Sequence, residues 1–168
     1  MRAFGITGRS GSGKTTLVAA LLPHLKDRGL SVSTVKQAHA AFDPEVPGKD
    51  SWRHREAGAG EVLVASSRRW ALMHELGEAE PPPLADLLTR LAPVDLVLVE
   101  GFRADPLPRL EVWRASVGKD LLAAGDPSIL AVASDGPDVP GFAGPVLDLT
   151  DTAAVAAFVL DHAEETAP

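Results

Sequence analysis

Gly8-Arg9-Ser10-Gly11-Ser12-Gly13-Lys14-Thr15 is the stretch on which the reading of this chain turns. Gly8, Gly13, Lys14 and Thr15 satisfy the pattern G-x-x-x-x-G-K-[ST]. Before it, Ala3–Thr7 is short and apolar and reads as a buried strand. After it, Thr15–Arg28 places Val18, Leu21, Leu22 and Leu25 at helical spacing. A strand, a glycine-rich turn and a helix in that order give the pattern its physical meaning. The glycines let backbone N–H groups turn inward around an anion, and the helix start adds unpaired donors and its dipole. Lys14 brings a point charge to outer phosphates, and the Thr15 hydroxyl is placed to ligate Mg²⁺. Arg9 lies within the loop, Ser10, Gly11 and Ser12 are small enough to let it close, and Thr16 reaches an inner phosphate from the first helical turn. The candidate phosphate-binding residues are therefore Gly8 through Thr16.

Outward from this motif, strands and helices alternate. Pro23 conflicts with the first helix and is expected to kink it or end it early, while Gly29 suits its C-terminal stop. Ser31–Lys36 reads as a strand, Ser51–Ala59 as a helix capped by Asp50 or Ser51, and Glu61–Ser66 as a strand. Arg69–Leu76 fits either a strand or a helix. The Pro-rich Glu78–Pro83 resembles a linker, and Leu84–Leu91 reads as a short amphipathic helix. Val94–Glu100, Leu110–Trp113, Ile129–Ala133 and Val146–Leu149 read as strands, and Asp151–Glu164 as a closing helix. This alternation predicts an α/β fold of the P-loop NTPase type, a mainly parallel, doubly wound sheet flanked by helices, as one domain over residues 1–168.

Sheets of this kind bind ligands at the carboxyl ends of their strands. Glu100 and Gly101 fall at one such end, so Glu100 is the candidate to hold Mg²⁺ opposite the P-loop, together with Thr15. Asp95 begins the same strand and belongs at the far edge. Lys14 and Glu100 are the candidate catalytic pair. The strand Ile129–Ala133 runs into Ser134 and Asp135. A carboxylate there can accept from guanine N1–H and the 2-amino group, whereas adenine offers an acceptor at that edge. Asp135 also precedes Gly136-Pro137 and suits a turn, and the Asn-Lys pair usual before such an aspartate is absent.

Composition bounds the remaining classes. The chain has 168 residues, 45% apolar and 23% charged, a normal globular balance. It has no cysteine, which excludes disulfides, thiolate metal sites and thiol nucleophiles and suits a reducing cytoplasm. No apolar run approaches the roughly 20 residues of a membrane span. The N-terminus runs straight into the P-loop and does not read as a cleavable signal peptide. The net charge of −7 is uneven: residues 1–69 hold 11 Lys/Arg against 6 Asp/Glu, and residues 70–168 hold 5 against 17. A basic first half suits an anion-binding face, while the acidic whole is a poor nucleic-acid binder.

The polar segment Lys36–Arg69 supplies further candidates. Lys49, Arg53 and Arg55 can meet a second anion, and His39, Asp43 and Asp50 can serve a metal or position water. Read with Arg68 and Arg69, the arginines also suit the lid of a small-molecule kinase, an alternative function for the same P-loop.

Taken together, these motifs resemble the molybdopterin-guanine dinucleotide biosynthesis protein B (MobB) family. The resemblance rests on Gly8–Thr15, Pro47-Gly48-Lys49-Asp50-Ser51, Arg53-His54-Arg55-Glu56-Ala57-Gly58-Ala59 and Val64-Ala65-Ser66. It continues through Arg69-Trp70-Ala71-Leu72-Met73, Val99-Glu100-Gly101-Phe102, Leu110-Glu111-Val112 and Ala131-Val132-Ala133-Ser134-Asp135. It implies a GTP-binding accessory protein with weak GTPase activity, acting in molybdenum cofactor biosynthesis. It also implies a MobA-type nucleotidyltransferase as partner, molybdopterin as a candidate ligand, a cytoplasmic location and a homodimer. The sequence departs from the family pattern at Lys36-Gln37-Ala38-His39-Ala40-Ala41, where a cluster of histidines and acidic residues is reduced to His39, and at Glu45, which stands where an aspartate is usual.

Overall fold

The computed structural model describes residues 1–38 and 42–166, so His39, singled out above, lies outside the described residues. The chain forms two compact units, Met1–Gln37 with Pro83–Pro168, and Ala38–Pro82 between them in sequence.

The first unit is built on a sheet whose path runs β2 (Val32–Lys36), β5 (Leu96–Glu100), β1 (Arg2–Thr7), β6 (Arg109–Trp113), β7 (Ile129–Ser134), β8 (Val146–Asp148). All of these pairs are parallel, as the α/β expectation requires. A two-residue strand, β9 (Glu164–Glu165), adds antiparallel to β1 at Arg2 and Ala3. β1 is central, and the chain leaves it toward β2 on one side and reaches β6 on the other. The crevice beyond its carboxyl end is therefore where a ligand fits such a sheet.

Side-chain alternation along each strand assigns the two faces. Phe4, Ile6, Leu96, Leu98, Leu110, Val112, Ala131 and Ala133 pack with Leu17, Leu21 and Leu25 of α1 (Lys14–Asp27) and with Val155 and Val159 of α4 (Thr152–His162). Ala3, Val97 and Val99 point the other way, onto Leu84 and Leu88 of α3 (Leu84–Leu88). Leu21 and Leu25 are fully buried, each stabilising the α1 seat by roughly 1.5–3 kcal/mol. Helices on both faces make the sheet doubly wound. Pro23 does not end α1, contrary to expectation: it lies inside the helix on an exposed position, and the buried leucine stripe carries the helix on to Asp27. α4 opens on Asp151, whose carboxylate accepts from Ala154 N at 2.9 Å.

The second unit holds α2 (Asp50–Glu56) and a two-stranded antiparallel sheet of β3 (Glu61–Ala65) and β4 (Trp70–His74). The segment left open between strand and helix is thus a strand. Its turn is closed by Ser66, whose hydroxyl accepts from Arg68 N and Arg69 N. α2 ends three residues earlier than expected and starts from Lys49, with no side-chain cap from Asp50 or Ser51. Among the described residues, no helix is long and apolar enough to cross a membrane.

Candidate functional site

The sequence-predicted residues gather at the carboxyl edge of the first unit's sheet. Gly8 leaves β1 with φ +139°, and a Cβ there would meet Val112 O at 2.4 Å and Ser12 Oγ at 2.8 Å. Only glycine lets the loop turn this close to β6. α1 opens on Gly13 in the left-handed conformation, with no side-chain cap among the described residues. The first-turn amides therefore keep their donors for a ligand, the arrangement that favours an anion. Ser12 is buried, and its Oγ has no hydrogen-bond partner among the described residues. That hydroxyl lies beneath the loop, 2.8 Å from where a Gly8 Cβ would sit, so it packs under the turn and does not face its mouth. The Lys14 ammonium folds back over the loop and donates to Arg9 O at 3.1 Å. Burial pushes the Lys14 pKa down; nearby Glu100 works against the shift, and the charges of Lys36 and Lys119 add to it. Ser10, Gly11 and Thr16 are exposed along the same loop and first turn. Arg9 points outward, where its Nε donates to Asp120 O at 3.3 Å.

Beside the loop, Thr15 and Glu100 meet as expected. The Thr15 hydroxyl lies 3.2 Å from each Glu100 oxygen. Glu100 is 9% exposed and pairs in register with Ile6 of β1 and Lys36 of β2. That register brings in a residue to which sequence reasoning gave no role. Lys36 Nζ donates to Thr15 Oγ1 at 3.0 Å and lies 3.3 Å from Glu100 Oε1. The ammonium thus bridges the two oxygens expected to hold a metal. Those oxygens are hard donors suited to Mg²⁺, and two protein ligands are typical of a Mg²⁺ that takes its other ligands from phosphate and water. Among the described residues no cluster of three or more His, Cys, Asp or Glu could hold a metal by itself. Asp95 lies at the opposite end of β5, where Ser31 donates from its amide at 2.8 Å and its hydroxyl at 2.6 Å.

The turn after Glu100 is held rigidly. Gly101 has φ +96°, and a Cβ there would sit 2.7 Å from Gln37 Cβ. Phe102 has φ +50°, unusual for a residue with a side chain. Gln37 Oε1 accepts from Phe102 N at 2.8 Å, and the buried Arg109 guanidinium donates to Phe102 O at 2.6 Å and to Asp105 O. Main-chain carbonyls with no sequence signature receive these bonds, so Arg109 could not have been found by motif.

Asp135 stands past the end of β7, exposed, beside a cavity of about 320 Å³ lined by Ser134, Asp135, Gly136, Pro137, Val146, Leu147 and Asp148. The cavity is large enough for a purine ring. Asp135 Oδ2 accepts from Arg114 Nη1 at 2.8 Å, and Arg114 Nε donates to Ser12 O at 3.1 Å. Arg114 and Lys36 both went unassigned, yet both sit just at or past strand ends. Their place beside Glu100 and Asp135 comes from the pairing of β2 with β5 and of β6 with β7.

In the second unit, Arg55 is not free for a second anion. Its guanidinium pairs with Asp43 at 2.6 Å and lies 3.3 Å from Glu45 and 3.8 Å from Glu75. Asp43 is engaged by the same contact, its pKa lowered chiefly by the Arg55 hydrogen bond.

A parallel, doubly wound sheet with a glycine-turned, lysine-bearing cradle after its central strand defines a P-loop protein. The sequence matches the family described as molybdopterin guanine dinucleotide synthesis protein B over residues 3–135. The chain therefore belongs to the MobB family. It is 44% identical over 138 residues to a molybdopterin-guanine dinucleotide biosynthesis adapter protein of Haemophilus influenzae, covering 79% of this chain and 74% of that protein. The corresponding adapter protein of Escherichia coli is 39% identical over 160 residues, covering 90% of this chain and 87% of that one. A crystal structure described as molybdopterin-guanine biosynthesis protein B superposes with a TM-score of 0.70 at 30% identity, covering 95% of this chain and 98% of that chain.

Proposed function

We propose that the chain is a GTP-binding adapter in molybdopterin-guanine dinucleotide biosynthesis that hydrolyses GTP slowly with Mg²⁺. The observation that carries this reading is the uncapped start of α1 on a left-handed Gly13, with the Lys14 ammonium folded over the loop. Gly8 through Thr16 wrap the phosphates. Lys14 neutralises charge on the outer phosphate oxygens as it develops. Thr15 and Glu100 hold Mg²⁺, which when bound supplies further charge neutralisation there. Lys36 then moves off these two oxygens toward phosphate; its side chain is 53% exposed and has room to do so. Asp135 accepts from the guanine edge in the cavity beside β7 and β8.

The chain's one glutamine, Gln37, is engaged by Phe102 N at 2.8 Å, so among the described residues none is free to orient an attacking water, and hydrolysis without such a group runs far below one turnover per second. That rate suits an adapter, working with a MobA-type nucleotidyltransferase in the cytoplasm and with molybdopterin as a candidate ligand. The small-molecule kinase reading loses Arg55, which its own carboxylates occupy. The second unit supports a homodimer: Leu63, Trp70 and Leu72 share one face of the β3–β4 hairpin by register and are 61%, 67% and 42% exposed. Isolated apolar hairpins of two strands are marginal in water and gain from a partner.

The test is base selection and phosphate fate. GTP should bind in preference to ATP, Asp135→Asn should move the preference toward XTP, and γ-phosphate should appear as inorganic phosphate. Label passing to an organic acceptor would favour a kinase. An unchanged base preference in Asp135→Asn would remove Asp135 from the site.

A further inference from the structure

Arg114 stands between the two halves of the proposed nucleotide site. Its Nε donates to the carbonyl of Ser12 in the P-loop at 3.1 Å, and its Nη1 pairs with Asp135 Oδ2 at 2.8 Å. A Cβ on Gly13 would lie 3.7 Å from Arg114 Nε and Nη2, so the guanidinium rests against the loop backbone at the very start of α1. The guanidinium is a rigid planar fork, and holding two acceptors at once fixes their relative placement. A carboxylate offers about four acceptor positions. Arg114 takes one on Oδ2, leaving Oδ1 and the remaining lone pair of Oδ2 for a ligand in the cavity that Asp135 lines.

We propose that Arg114 is a positioning residue for purine selection: it fixes the Asp135 carboxylate against the base edge and ties that orientation to the P-loop through Ser12. The inference rests on the reading of Asp135 as the guanine acceptor. Two parallel hydrogen bonds from N1–H and the 2-amino group need both carboxylate oxygens in one plane. An aspartate on an exposed turn rotates freely about its last bond, and the pair with Arg114 removes that freedom. Arg114 therefore governs discrimination between bases and leaves phosphate affinity largely alone.

The experiment compares GTP, ITP and Mg²⁺-tripolyphosphate binding to wild type, Arg114→Ala, Arg114→Lys and Asp135→Asn. ITP lacks the 2-amino group, and tripolyphosphate reports on the P-loop without a base. Arg114→Ala should lower the preference for GTP over ITP by about tenfold, the value of one hydrogen bond to a charged group. Tripolyphosphate affinity should stay within about threefold of wild type, a change too small to be the loss of such a bond. Lysine provides charge without the fork, so Arg114→Lys should fall between the two; it also stands in should the alanine variant fail to fold. An unchanged GTP-to-ITP ratio overturns the proposal. So does an equal loss for all three ligands, which would make Arg114 only a prop for the loop. If Asp135→Asn leaves base preference as it was, the reading of Asp135 itself fails. If Asp135→Asn shifts the preference and Arg114→Ala does not, only the positioning role fails.

Discussion

Glu100→Gln separates a metal-holding carboxylate from a merely structural one. The amide keeps the shape and can still accept from Thr15, whose hydroxyl lies 3.2 Å from either oxygen. What disappears is the negative charge 3.3 Å from Lys36 Nζ. Lys36 is half exposed, so this pair is worth about 1 kcal/mol after solvent screening rather than a buried-pair value. The melting temperature should fall by about 2–4 °C. The effect on ligand binding should be larger and split in sign. Loss of a charged group holding a metal raises the Mg²⁺ needed for tight GTP binding by about 10–100-fold. Without Mg²⁺ the change reverses: one fewer negative charge faces the triphosphate, so GTP in excess EDTA should bind as well as to wild type or better. Fluorescent GTP titrated at fixed Mg²⁺ levels and in EDTA reads both arms. A variant with an unaltered Mg²⁺ requirement, or one that weakens binding equally with and without metal, would refute the placement of Glu100 in the metal site.

Three other outcomes are expected. Gly8→Ala drives a Cβ to 2.4 Å from Val112 O at φ +139°, a strain of about 1–3 kcal/mol, and should weaken GTP binding by roughly 10–100-fold in equilibrium dialysis. Because the Lys14 pKa is lowered first by burial and a bound triphosphate raises it again, binding takes up a proton in the window between the two values. Affinity should therefore fall as the pH rises through the lowered free-state pKa, below the ordinary lysine range, and the step should vanish in Lys14→Met. In the proposed homodimer, with the hairpin as its symmetric interface, Leu63→Lys removes a leucine from each side, about 3 kcal/mol in all. Sedimentation should show the dimer weakened on the order of 100-fold, and an unchanged dimer would place its interface elsewhere.

How far the sequence reaches is clearest at the strand ends. Ala3–Ile6 and Leu96–Val99 are unbroken apolar runs because their strands are buried on both faces, so the strands carrying the P-loop and Glu100 were legible, and with them the site. Arg69–Leu76 was not. Trp70, Ala71 and Leu72 stay exposed in a two-stranded sheet, so no burial pattern marks the period. The tail at Glu164–Glu165 joins β1 through backbone bonds alone and leaves no side-chain signal. Pro23 misled because local propensity yields to packing: Leu21 and Leu25 on either side of it are completely buried. Lys36 and Arg114 needed the pairing register, Lys36 against Glu100 and Trp113 against Ser134, which is a three-dimensional fact.

The most direct measurement is calorimetric titration of the purified chain with GTP in Mg²⁺, wild type beside Lys14→Ala. Saturable uptake of about one GTP per chain is expected for wild type, with Lys14→Ala folded by circular dichroism and its binding weakened by roughly 100-fold, as for a charge-assisted contact. No heat of binding for any triphosphate in wild type, or equal binding by the two proteins, would contradict a phosphate cradle at the start of α1.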